Sequence, residues 1–245
     1  MSRARSRWVA LVAVALGLVA ALALGVRVLP RPDPVLRVPP DTLLVAAPRA
    51  HSRPVAAATR ATTGATTVSL RWVRRTSADT GVPWPAVRAY GAATLDVGRS
   101  DPGCHLSWTT LAGIGWVESQ QGTIGGRRLG DDGRPDRPIS GPSLDGSADL
   151  AALTARSGGW QHAVGPMQFL PGTWARWASD GDGDGVRDPD DLDDAALGAA
   201  RYLCASGTDL ATGTGWSAAV FSYNHAASYV LDVYAAAQEY AQRSS

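Results

Sequence analysis

Lysine is absent from this chain, so every basic side chain other than histidine is arginine, and glutamate occurs only at Glu118 and Glu239. The missing lysine reads as a bias of composition and carries no functional weight. The scarcity of glutamate, by contrast, singles out the two that remain. Cysteine also occurs only twice, at Cys104 and Cys204, which leaves room for one disulfide. Strand-like alternation is nearly absent and no internal repeat is visible, which excludes sheet-built and repeat architectures. Positive charge is scarce in the larger part of the chain. Residues 1–75 hold 12 of the 23 basic residues against Asp33 and Asp41 alone, leaving residues 76–245 with 11 basic and 20 acidic side chains, a balance of −9. Nucleic acid is therefore an unsuitable partner, because phosphate binding draws its affinity from basic side chains.

What is present begins with a charge-free run. Arg3, Arg5 and Arg7 precede Trp8–Val26, which as a helix rises ~28 Å, close to the ~30 Å of a bilayer's hydrocarbon core. The positive flank is expected to stay in the cytoplasm and to leave the remainder outside. The alternative, a cleaved signal peptide, finds no strong small-x-small site near Leu24–Val28. Residues 1–28 are thus expected to be an anchor in the cytoplasmic membrane. Residues 29–75, rich in Pro, Ala, Thr and Arg and punctuated by Pro30, Pro32, Pro34, Pro39 and Pro40, read as a disordered tether. Residues 76–245 are expected to fold.

In that part the pattern is mainly α. Helices are expected over Ala86–Val97 after Pro83 and Pro85, over Trp108–Ser119 behind the N-cap Ser107, and briefly after Pro171. Three more follow over Asp193–Cys204, Trp216–Tyr223 and Ser228–Gln242. Long Gly-, Asp- and Pro-rich loops separate them, and the Gly125–Gly159 stretch is expected to form a cleft wall. Outside a membrane the two cysteines are expected to pair. On the chain-entropy model a loop of ~100 residues closed this way stabilises by up to ~4.7 kcal/mol.

Trp108, Leu111, Gly115 and Glu118 are spaced 3, 4 and 3 apart and fall on one helical face. A carboxylate is thus set at the end of an apolar stripe. Withdrawal from water raises a carboxyl pKa, which is what a general acid needs near neutral pH. The bland alternative is a carboxylate in the last turn that simply faces solvent.

Gly115-Trp-Val-Glu-Ser119, Gly165-Pro-Met-Gln168-Phe and Ser222-Tyr-Asn-His225, taken together and in order, resemble the lytic murein transglycosylases of lysozyme-like (SLT-type) fold. The likeness runs from about Thr76 to Gln242 and is greatest to the membrane-bound B type and its actinobacterial relatives. It implies a lysozyme-like helical domain acting on peptidoglycan glycan strands. Glycosidases generally use two carboxylates; the resemblance implies one. By that resemblance Glu118 is expected to protonate the oxygen between muramic acid and glucosamine, then as base to assist attack by the muramyl C6 hydroxyl, leaving a 1,6-anhydro end. By position, Gln168 and Asn224 are expected to bond sugar groups, Tyr223 to line the cleft, and Ser119 to position acid or substrate. Asp131, Asp132, Asp136, Asp145 or Asp149 could instead supply a second carboxylate, so a hydrolytic muramidase of the same fold stays open. A non-catalytic wall-binding module is the remaining rival.

The run Asp180-Gly-Asp-Gly-Asp-Gly-Val-Arg-Asp-Pro-Asp-Asp191 follows an EF-hand loop, with oxygens at positions 1, 3, 5, 7, 9 and 12 and Gly at 6. The expected ligands of a structural Ca2+ are Asp180, Asp182, Asp184, the Val186 carbonyl, Asp188 and Asp191. Asp stands at position 12 where the pattern has Glu. The resemblance also implies an EF-hand-like calcium site and no organic cofactor.

Overall fold

The computed structural model describes residues 47–48, 55–57, 67–142, 162–205 and 209–245, all within one compact unit spanning Val38–Ser245. The expected membrane segment lies outside the described residues, and so does most of the expected tether. Among the described residues no helix is long and apolar enough to cross a membrane.

Helix α1, Leu70–Thr80, crosses the boundary expected at residue 76. Arg71, Arg74 and Arg75 point outward while Trp72, Val73 and Thr76 are buried, an amphipathic period that the arginines hide when the segment is read by composition. Val68 also joins the core, and the Ser69 N–H donates to Ala56 O at 2.7 Å. Helix α1 ends on Gly81, and α2 spans Trp84–Ser100. Helix α3, Trp108–Ser119, starts where its cap is expected, with Ser107 Oγ accepting the Thr109 N–H at 3.3 Å. A short 3-10 turn, Ile124–Gly126, follows. Then come α4 (Pro171–Trp177), α5 (Leu192–Cys204), α6 (Gly213–Tyr223) and α7 (Ala227–Arg243). No strand occurs among the described residues, only isolated antiparallel bridges.

Helix α3 is the centre of the molecule. Every residue from Trp108 to Gly115 is buried, so the first two turns are enclosed on all sides rather than striped along one face. Small residues make this possible. At Gly113 a Cβ would lie 2.8 Å from the Val233 carbonyl oxygen, so α7 lies directly on the α3 backbone. The other extensive contact is α2 against α5, where Ala195, Ala196, Ala199 and Ala200 are all fully buried. Cys104 and Cys204 form a disulfide that ties the loop before α3 to the end of α5. Beside it the Leu210 N–H donates to Cys104 O at 2.9 Å.

Candidate active site and acidic loop

Glu118 sits in the last turn of α3, half-buried. Across the α3–α7 crossing the Tyr229 hydroxyl donates to Glu118 Oε1 at 2.6 Å. Burial pushes the Glu118 carboxyl up from 4.5 to about 7, and the hydrogen bond from Tyr229 pulls the other way. Desolvation wins, because one donor replaces only part of the water a carboxylate loses. No other carboxylate among the described residues contributes to this shift. Tyr229 is held well above the phenol range, first by burial and then by the Glu118 charge, so it stays a neutral donor.

Tyr223 stacks on Tyr229, with ring centroids 6.5 Å apart and planes 6° from parallel. Its hydroxyl donates to Met167 O at 2.8 Å, and Phe169 meets its edge at 6.0 Å. Ser119 is fully buried. Its hydroxyl donates to Pro166 O at 2.6 Å and accepts the Gly122 N–H at 2.8 Å, so it joins the helix end to the 165–168 turn and cannot reach a substrate. Gln168 has φ 50° and donates its side-chain amide to Gly165 O at 2.8 Å. That turn rests on the acidic loop: at Gly165, φ 74°, a Cβ would lie 1.8 Å from Pro189 O. Asn224, at the end of α6, is exposed, and no hydrogen bond links its side chain to the others among the described residues.

The other carboxylates sit elsewhere. Glu239 is exposed and pairs with Arg243 at 2.6 Å. Asp132 accepts the Arg134 N–H at 3.1 Å, and Asp136 lies 3.6 Å from Arg137. Asp145, Asp149 and most of the expected 125–159 cleft wall fall outside the described residues.

The acidic loop folds as a series of side-chain-closed turns. Asp180 accepts the N–H groups of Gly183 and Gly185 at 2.7 and 3.0 Å; Asp182 accepts that of Asp184 at 3.0 Å and Asp184 that of Val186 at 2.6 Å. Carboxylate oxygens of Asp180, Asp182 and Asp194 come within 4.8 Å of one another. Asp191, expected as the twelfth-position ligand, instead caps α5 through the Asp193 N–H at 2.9 Å and pairs with Arg134 at 3.3 Å. Asp188 is also held by Arg134. Asp194 closes the cluster from the first turn of α5, accepting the N–H groups of Gly181 and Asp188 at 2.7 and 2.8 Å. Burial, opposed by those two bonds and reinforced by the charges of Asp182 and Asp180, pushes Asp194 up to about 6. Three crowded carboxylates are a hard-oxygen donor set, which fits calcium.

The transglycosylase SLT domain family matches residues 147–221. The matched stretch takes in the 165–168 turn, the acidic loop and most of α6, and it begins after Glu118. Among solved structures, the Escherichia coli lytic transglycosylase Slt35 in complex with bulgecin A aligns at 15% identity and a TM-score of 0.45, over 73% of this chain and 76% of that one. Slt35 in complex with calcium aligns at 16% identity and a TM-score of 0.43, over 73% and 77%. No curated protein matches the chain significantly.

The sequence alone does not reveal two residues. Tyr229 lies 111 positions from Glu118, and its only local signal is a tyrosine four residues beyond the Ser222–His225 motif. Asp194 is hidden because a twelve-residue loop pattern stops at Asp191.

Proposed function

We propose that the chain is a lytic transglycosylase that cleaves the bond between N-acetylmuramic acid and N-acetylglucosamine in peptidoglycan. One observation carries this reading: a lone half-buried carboxyl, raised to about 7 and steadied by a neutral phenol. Such a group is protonated often enough at neutral pH to act as an acid, and ionised often enough to act next as a base. Glu118 gives its proton to the glycosidic oxygen as the C1–O bond breaks. The muramyl C6 oxygen then bonds to C1 and its proton returns to Glu118, leaving a 1,6-anhydro end without consuming water. Tyr229 donates to Oε1 throughout and keeps the carboxyl aimed. Tyr223, stacked behind it, fixes the Tyr229 ring. The resemblance to the lysozyme-like, membrane-bound B type supports the same reading, as does the SLT domain match.

Asp180, Asp182 and Asp194 would hold calcium, which would supply a structural charge that relieves carboxylate repulsion and fixes the loop under the 165–168 turn. The Trp8–Val26 segment anchors the enzyme in the cytoplasmic membrane with the catalytic domain outside. The test is product chemistry on purified sacculi. Anhydro ends resist borohydride reduction, whereas hydrolysis leaves reducible ends. Fragments with unreducible ends are expected from the parent and none from E118Q; reducible ends would replace this reading with a muramidase.

A further inference from the structure

A groove of about 850 Å3 runs between the Thr80–Pro83 turn, the end of α3 and the side of α7. Trp116 and Glu118 are two residues apart, so their side chains leave the helix axis about 200° apart, and neither Glu118 nor Tyr229 lines this groove. Trp116 stands in its wall with 47% of its surface exposed, and Ile124 beside it is 38% exposed. A large indole left open in a concave site marks a place where a ligand packs.

The lining narrows what that ligand is. Arg243 is bonded to Glu239 at 2.6 Å and donates to Thr80 O at 3.4 Å, so the groove's cation is already neutralised. Asp232, also in the lining, forms no ion pair with a described residue. An anionic ligand would therefore meet net negative charge. A purely apolar one would strip water from Asp232 and from the Gln120 amide, both exposed in the lining. An indole face flanked by a carboxylate and by the Gln120 amide suits a neutral sugar: ring C–H groups pack on the indole, while hydroxyl and acetamido groups bond Asp232 and Gln120.

We propose that this groove is an accessory saccharide site that holds a second stretch of N-acetylated glycan while Glu118 works on the first. The inference rests on the glycan-cleaving reading above. Two weak contacts with one polymer raise its retention by effective concentration, without any change at the acid.

The test uses the full-length chain carrying E118Q, labelled with 15N and titrated with tetra-N-acetylchitotetraose. The Trp116 indole N–H signal, assigned by its loss in W116F, is expected to shift saturably. In the same background W116A and A235F, the second of which fills the groove, are expected to weaken sedimentation with purified sacculi about tenfold, or about 1.4 kcal/mol. A stationary Trp116 signal, or unchanged sedimentation of both variants, overturns the proposal; if W116A does not fold, A235F and the titration decide. A parent that releases no glycan fragments while the indole still shifts would sink the cleavage reading and leave the groove standing.

Discussion

At the scale of single residues, the proposed chemistry rests on the Glu118–Tyr229 pair, and its two partners make separable predictions. E118Q keeps the acceptor for the Tyr229 hydroxyl but has no proton to give, so glycan cleavage is expected to fall by at least about 100-fold, the usual contribution of a general acid, as read by fragment release. The same variant is expected to be more stable at high pH. The carboxyl is raised in the folded state to about 7 from 4.5, so its contribution to stability is fully present below about 4.5 and lost as pH rises through about 7. A Tm for E118Q about 2–4 °C above the parent at pH 8, converging with it near pH 4, is the expected outcome. Y229F removes the interaction that favours the ionised form. The Glu118 midpoint then moves further up, and the alkaline limb of the pH–rate profile moves up with it. The half-buried setting of Glu118 was legible in the sequence because a rare residue type sits at the end of a helix of apolar and small residues. Tyr229 was not, because nothing local to Ala227–Arg243 reveals which helix it crosses.

At the scale of elements, capping signals carried most of the information. Ser107 marked the start of α3 to the residue, and the proline-led starts of α2 and α4 were visible in the same way. Aspartate was harder to read, because one residue type serves as cap, ion-pair partner and potential metal ligand within fifteen positions. Asp191 caps α5 and Asp194 turns back to the loop, a division that follows from the helix start and not from the loop spacing. Their variants should therefore differ. D194N is expected to abolish calcium-induced stabilisation in a thermal melt. D191A is expected to lower the Tm without calcium, by the scale of a lost N-cap, about 1 kcal/mol. Equal behaviour of the two would contradict the assignment. The α3–α7 contact is equally specific: G113V forces a side chain against the Val233 carbonyl. A loss of about 1–3 kcal/mol in denaturant unfolding is the expected cost of overpacking.

At the scale of the whole molecule, the acid, the 165–168 turn and the acidic loop form one continuous support. Ser119 and Tyr223 hold the turn from one side, and Pro189 packs under Gly165 from the other. Calcium at about 100 times its Kd is expected to add about 2.7 kcal/mol to folding, seen as a rise in Tm that a chelator reverses. The tether was expected to reach residue 75 on composition alone, a reading that fails where arginines flank a short amphipathic helix such as α1. The central claim is that one carboxyl is held half-protonated at neutral pH. The chain's poverty in glutamate makes this directly measurable, since selective 13C labelling of glutamate gives two side-chain carboxyl signals, one of which disappears in E118Q. The Glu118 signal is predicted to titrate with a midpoint of about 7; a midpoint in the ordinary carboxylate range near 4.5 would contradict the account.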